Sequence, residues 1–290
     1  MSIVGVVLFP FISTRDARRL RLVCRELKQA AGDFPWEDMG TVIMGSIALW
    51  RACFPRARGA NVSNLGRLTP VVDGDFVHFV GLRALNMSWC REVTDAAFAH
   101  LRDIETLSMS YCWHVTDAAF VHLRGIQELD MSGCNQAAIT DAAFVHLVGI
   151  QRLSIWGCIQ ATITDAAFVH LKGIKVLNMS YCWQLTDAAF EHLRGIHTLV
   201  MWQCSQATIT DAAFEYLKGI HSLVMMGCNQ ATITGAGLEH LKGISRLGMF
   251  GCTDEAIAAA ESLGLPVARR CYTRYGAFDT SFVEKEEEEE

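Results

Sequence analysis

Eleven cysteines and ten histidines are spread along the 290 residues, and their spacing decides what chemistry they could do. Eight of the cysteines (Cys90, Cys112, Cys134, Cys158, Cys182, Cys204, Cys228 and Cys252) recur at intervals of 22 or 24 residues. A zinc site needs thiolates close together, as in Cys-x-x-Cys, and the sequence has no such pair. A free buried cysteine packs as a small apolar side chain, and that is the reading taken for this ladder. A second ladder runs His78, His100, His122, His146, His170, His192 and His240, with Tyr216 in place of one member. A metal site would be local, whereas these imidazoles recur in nearly every period, so the expected role is a hydrogen bond to a neighbouring loop carbonyl. Protonating a crowded row of imidazoles is unfavourable, which predicts some loss of stability in acid. The Ser, His and Asp residues that could build a nucleophilic triad are all repeat positions, and none is singled out. No glycine-rich phosphate loop follows a strand, and no His-Glu-x-x-His occurs. The expectation is therefore no enzyme, no metal site and no cofactor.

Composition bounds the remaining possibilities. With 51% hydrophobic and 19% charged residues the chain has ample apolar material for a core, which excludes a disordered protein. A net charge of −6 argues against a dedicated nucleic-acid binder, which needs surplus Lys and Arg to displace counterions. The apolar start, Met1 to Ile12, has no basic leader region and no small-residue cleavage site, and it is too short to span a bilayer. A cytoplasmic or nuclear protein with reduced thiols is expected, with no membrane partner and a monomeric state outside any complex.

The elements that must position these ladders follow from the repeat itself. Thr-Asp-Ala-Ala-Phe begins at Thr94, Thr116, Thr140, Thr164, Thr186 and Thr210, and a variant, Thr-Gly-Ala-Gly-Leu, begins at Thr234. The difference of two residues between periods always falls just after the cysteine. Each period opens with an alternating stretch such as Leu107-Ser108-Met109, which suits a short strand with one buried face. It continues with a short helix capped by the threonine, with the aspartate in its first turn and Phe120 and Leu123 on one side. A glycine such as Gly125 ends it. One period cannot bury enough to offset the entropy of ordering it, so the units must stack. Val72 to Phe76 reads as a degraded first repeat preceded by a strand near Ala60 to Ser63, and Ala256 to Ala260 as a freer closing helix.

The register Leu-x-x-Leu-x-Met-x-x-Cys followed by Ile/Val-Thr-Asp-x-x-Phe-x-x-Leu is carried in the first clear period by Leu82, Leu85, Met87, Cys90, Val93, Thr94, Asp95, Phe98 and Leu101. It resembles the cysteine-containing class of leucine-rich repeats. Units are shorter than is usual for that class, and Met often replaces the second Leu of the strand. The resemblance implies an α/β solenoid, a horseshoe of about eight or nine repeats over residues 71–265, with a connector and cap strand at 41–70.

Residues 1–40 differ in character. Leu20, Val23, Cys24, Leu27 and Ala31 recur at helical spacing from Asp16 to Ala31, with Ser13 or Thr14 as the cap and arginines over much of the other surface. The run Leu8 to Leu27, with Leu22-Val23-Cys24-Arg25 at its core and Trp36 closing it, resembles the later two thirds of an F-box. The opening Leu-Pro of that motif is missing, and Leu27 stands where an aromatic is usual. The resemblance implies a substrate-recognition subunit of an SCF-type, cullin-RING ubiquitin ligase. Leu8, Phe11, Ile12, Leu20, Val23, Cys24, Leu27 and Trp36 would dock a Skp-type adaptor, and through it a cullin. The alternative is a free-standing leucine-rich repeat interaction protein whose N-terminus is only a cap. Residues 266–290 form a tail with an acidic end, expected to be solvated.

In a solenoid, function belongs where repeats disagree. The residue after the strand's Met or Ile is expected on the open face, and it reads Ser88, Ser110, Ser132, Trp156, Ser180, Trp202, Met226 and Phe250. Trp89, Tyr111, Trp113, Tyr181 and Trp183 stand in the adjoining turns. Exposed rings grouped in this way suit a protein-binding patch. Trp89, Tyr111, Asp130, Arg152, Trp156, Tyr181, Trp202, Met226 and Phe250 are therefore the candidate contacts to a protein substrate, with Glu128 and Arg246 also available to set orientation. The rival reading is that the rings only cover Gly133, Gly157, Gly227 and Gly251 nearby.

Overall fold

The computed structural model describes residue 9 and residues 12–63 and 69–268. These fall into two compact units, residues 1–126 and residues 127–290. No helix of the described residues is long and apolar enough to cross a membrane.

The first unit begins with helices α1 (Thr14–Leu20), α2 (Arg25–Asp33) and α3 (Ile47–Cys53). The single helix expected from Asp16 to Ala31 is thus two. The break is at Cys24, which is fully extended (φ −155°, ψ 169°) and whose sulfur accepts the Leu27 N–H to cap α2. Ser13 caps α1 and Ser46 caps α3 in the same way. The helices are held on a small aromatic core. Trp36 is buried against Phe9, Phe34 and Phe54, with ring centroids 5.1, 4.8 and 5.6 Å away, and its Nε1–H donates to the Ala31 carbonyl at 2.7 Å. Asp38 ties this region together by accepting from Thr14 N, Thr14 Oγ1 and Thr41 N at 2.7, 2.8 and 2.9 Å. Burial alone would raise its carboxyl, but these hydrogen bonds hold it below the usual carboxylate value.

Strand β1 (Gly59–Asn61) then enters a parallel ladder with β2 (Ala84–Asn86) and β3 (Thr106–Ser108). Gly59 lies so close to the preceding chain that a Cβ there would stand 2.8 Å from Glu37 Cα, so only glycine lets β1 lie beside that segment. The degraded repeat after it folds as a 3-10 helix, Asp73–Phe79.

The second unit holds β4 (Glu128–Asp130), β5 (Arg152–Ser154), β6 (Val176–Asn178), β7 (Thr198–Val200), β8 (Ser222–Val224), β9 (Arg246–Gly248) and β10 (Val267–Ala268). All pair in parallel, and Leu129, Leu153, Leu177, Leu199, Leu223 and Leu247 sit in one register at the buried centre of their strands. One helical turn at each Thr-Asp-Ala-Ala-Phe returns the chain to the next strand and buries its alanine and phenylalanine, as Ala189 and Phe190. After β9 the longer helix α4 (Asp254–Ser262) closes the array.

Three side-chain ladders join successive repeats, and each is an obligatory polar group satisfied across the stack. The aspartate of one repeat accepts both the backbone N–H and the hydroxyl of the next repeat's threonine. Thr116 binds Asp95 in this way at 2.8 and 2.6 Å in the first unit, and Thr186 binds Asp165 at 2.9 and 2.6 Å in the second. The threonine oxygen meanwhile accepts its own helix N–H, as Thr186 Oγ1 does from Ala188 N at 3.2 Å. Within each unit the ladder cysteines donate their thiols to carbonyls of a preceding repeat, as Cys112 does to Met87 O at 3.3 Å and Cys182 to Ile155 O at 3.2 Å. Glutamine amides donate to cysteine carbonyls, as Gln160 Nε2 does to Cys134 O at 3.0 Å and Gln230 Nε2 to Cys204 O at 3.0 Å. The expected carbonyl partner of the histidine ladder is not found: among the described residues no hydrogen bond is formed by the rings of His78, His100, His122, His170, His192 or His240. Those rings are accommodated at the rim of each repeat by partial burial, except His240, which is exposed.

Candidate functional site

The strands are one step earlier than the row of variable residues used to define the open face. In the first unit the outward positions of β2 and β3 are Ala84, Asn86, Thr106 and Ser108. In the second the same alternation gives Glu128, Arg152, Val176, Asn178, Val200, Val224 and Arg246, which are partly exposed, and Asp130, Ser154, Thr198, Ser222 and Gly248, which are buried. The expected row, from Ser132 to Phe250, continues the same face into the first turn. The period-two alternation around each buried leucine was the signal that could have added Val176, Val200 and Val224, which place further apolar groups there.

Several expected contacts are used internally. Asp130 is buried and its Oδ1 accepts the Ser132 N–H at 3.0 Å, the turn that Asn86 makes with Ser88 at 3.0 Å and Asn178 with Ser180 at 3.1 Å. It ends the strand from a buried position. Met226 is only 6% exposed, so it fills the face and is a packing residue. Arg152 Nε lies 3.6 Å from Glu128 Oε1, and this pair is partly neutralised at the surface. From Ser132 to Trp202 small and large residues alternate: Ser132 and Ser180 are buried, while Trp156 and Trp202 between and beyond them are half-buried. Trp202 N–H donates to Ser180 Oγ at 3.0 Å. Phe250, at the end of this row, is exposed, at 55%.

Three of the turn aromatics, Trp89, Tyr111 and Tyr181, adopt a backbone conformation that other repeats give to glycine. At the position after the row, Gly133, Gly157, Gly227 and Gly251 have φ between 67° and 74°, and Trp89 (66°), Tyr111 (59°), Tyr181 (63°) and Gln203 (55°) adopt the same left-handed conformation. Each side chain held there costs on the order of 1 kcal/mol that glycine avoids. The aromatics among them, Trp89, Tyr111 and Tyr181, occur in the repeats whose turn is two residues shorter. In the first unit Trp89 stacks on Tyr111 with centroids 4.0 Å apart, and the Arg91 guanidinium lies 5.3 Å from Trp89 and 4.2 Å from Trp113. In the second unit Tyr181 meets Trp156 edge-on at 5.7 Å and Trp183 at 6.3 Å, and Trp183 Nε1–H donates to Gln203 O at 2.8 Å. Each unit therefore presents its own aromatic group, Trp89, Tyr111 and Trp113 in one and Trp156, Tyr181 and Trp183 in the other.

Of the residues expected to dock an adaptor, Leu8 and Phe11 lie outside the described residues, as do residues 269–290 of the tail. Ile12, Leu20 and Leu27 are half-buried, and Val23 and Cys24 are exposed. Trp36 is core, so it positions the helices and cannot be a contact. Leu22, which the helical-spacing argument passed over, is the most exposed large apolar residue of the segment at 87%, beside Val23 at 69%. Both stand on the turn between α1 and α2. Among the described residues no group of three or more His, Cys, Asp or Glu is placed to hold a metal ion.

No family model matches the sequence, and no curated protein matches it. Among solved structures the chain is similar to one in the TLR13–ssRNA13 complex, at 18% identity over 69% of this chain and 30% of that one, with a TM-score of 0.56. It is similar to one in the yeast Rad7–Elc1 complex, at 16% identity over 77% and 70% of the two chains, with a TM-score of 0.50. The mouse RP105/MD-1 complex also matches, at 14% identity over 76% and 43%, with a TM-score of 0.50. The chain thus spans under a third of the length of the first of these. The likeness is one of fold, and it agrees with the parallel ladder and the repeated helical returns. The fold is a leucine-rich repeat α/β solenoid.

Proposed function

We propose that the protein is a protein-interaction module and that it serves as the substrate-recognition subunit of an SCF-type, cullin-RING ubiquitin ligase. The observation that carries the ligase reading is the exposed pair Leu22 and Val23, on the turn between α1 and α2 and inside the stretch that resembles an F-box. Two large apolar side chains side by side on a turn, with no packing role in their own unit, are the kind of anchor that a partner covers. The likeness to the Rad7–Elc1 complex lends support, since a chain of this fold there works beside a second protein. The aromatic groups and Phe250 would hold the substrate. The contribution to ubiquitin transfer is then proximity alone, which raises effective concentration without a catalytic side chain.

The second reading is a free-standing interaction protein, and the buried Trp36 favours it. A segment with its own aromatic core, fastened by Asp38, also works as a plain cap on the repeats. Co-purification with a Skp-type adaptor separates the two. The ligase reading expects capture by the full chain, and loss of capture in Val23→Asp and Leu22→Asp with the circular dichroism spectrum unchanged. Both sites are exposed, so these changes should leave folding within about 0.5 kcal/mol of the parent. No capture by the folded parent, or capture that survives both changes, leaves the free-standing reading.

A further inference from the structure

Between α1, residues 41–46 and α3 of the first unit runs a groove of about 180 Å³. Its floor and lip are apolar, with Met44 and Leu49 exposed and Trp50 half-buried. Its rim on α1 carries Arg15 and Arg18, three residues apart and so on one face of the helix. Both guanidinium groups are exposed, and among the described residues no carboxylate lies within salt-bridge distance of either. The Trp50 indole N–H is closed off from solvent and has no acceptor.

We infer that this groove binds a segment of a partner protein in which acidic side chains flank a large apolar one. The apolar side chain lies against Met44, Leu49 and Trp50, and the carboxylates pair with Arg15 and Arg18. Cations in the partner would meet two like charges at the rim, so the charge sets the choice of partner as well as the strength of binding. The groove is a surface separate from the Leu22 and Val23 turn, so the inference stands whether or not that turn docks an adaptor.

The probe is the fluorescein-labelled, end-blocked peptide Asp-Asp-Leu-Phe-Asp-Asp, titrated with the full chain and read by anisotropy. Lys-Lys-Leu-Phe-Lys-Lys and Asp-Asp-Ser-Ser-Asp-Asp serve as controls. The acidic apolar peptide should bind at least about tenfold more tightly than either control, and more weakly as salt rises. Arg18→Glu and Leu49→Asp, both at exposed positions, should each lower its affinity by about tenfold or more with the fold intact by circular dichroism. Val23→Asp should leave it unchanged. Equal binding of the three peptides, no binding of the acidic one, or no effect of Arg18→Glu and Leu49→Asp would overturn the inference. Loss of the peptide in Val23→Asp would overturn the separateness of the groove.

Discussion

Cysteine illustrates how far one residue type is governed by where the repeat places it. Cys24 is exposed at the start of α2, whereas the ladder thiols from Cys90 to Cys252 are buried and donate to carbonyls. Burial pushes the Cys204 thiol up to about 12 and the Cys252 thiol up to about 11, with the neighbouring carbonyl geometry opposing it only in part. The folded protein therefore keeps these protons where an unfolded chain, with thiols near 8.5, has released them. The stability that follows is fully present below about pH 8.5 and declines as the pH rises towards the folded values. Two outcomes are expected. Iodoacetamide at pH 8, mapped by mass spectrometry, modifies Cys24 and spares the ladder. The denaturant midpoint is level from pH 7 to 8 and falls between pH 9 and 10.5, with a shallower fall in Cys204→Ala. A flat profile through pH 10.5 would count against this account.

At the scale of the element, the strand and its helical return were legible because their apolar periodicities differ and each recurs many times. The helix caps were legible too: Thr186 does cap its own turn. What the same residues do between repeats was not. Asp165 reads as a first-turn acid complementing a helix dipole, yet its two oxygens are taken by Thr186 of the following repeat. That partner is fixed by stacking, 21 residues away, and no local pattern reveals it. The break at Cys24 and the burial of Trp36 escaped for a similar reason, since apolar spacing alone does not distinguish an exposed ridge from a face turned to a core. The clasps also make a quantitative claim. Asp187 accepts Thr210 N at 2.7 Å and Thr210 Oγ1 at 2.6 Å. Losing both hydrogen bonds to a charged acceptor should cost Asp187→Ala about 2–3 kcal/mol in a urea titration. A loss below about 0.5 kcal/mol, the range of ordinary surface changes, would mean the clasp is ornamental.

For the whole molecule, the repeat and its parallel strands were legible in the sequence well before a surface was. The variable row that marked the open face lies in the first turn after each strand, while the rows on the strands themselves carry the valines Val176, Val200 and Val224. Variation marks where repeats differ, and exposure is decided by what the neighbours cover. Met226 varies and is buried. Because the repeats of the second unit from Asp141 to Thr234 are fastened one to the next by the same clasp, excising residues 164–185 brings Thr186 opposite Asp141, which now clasps Thr164 at 2.7 Å. The shortened protein should unfold in one cooperative transition at a lower urea midpoint than the parent. Failure to fold would show that the repeats are less interchangeable than their bonds imply. If the excision succeeds, the face becomes a ruler graduated in strand spacings of about 4.8 Å, along which the separation of two contact points can be set by counting repeats.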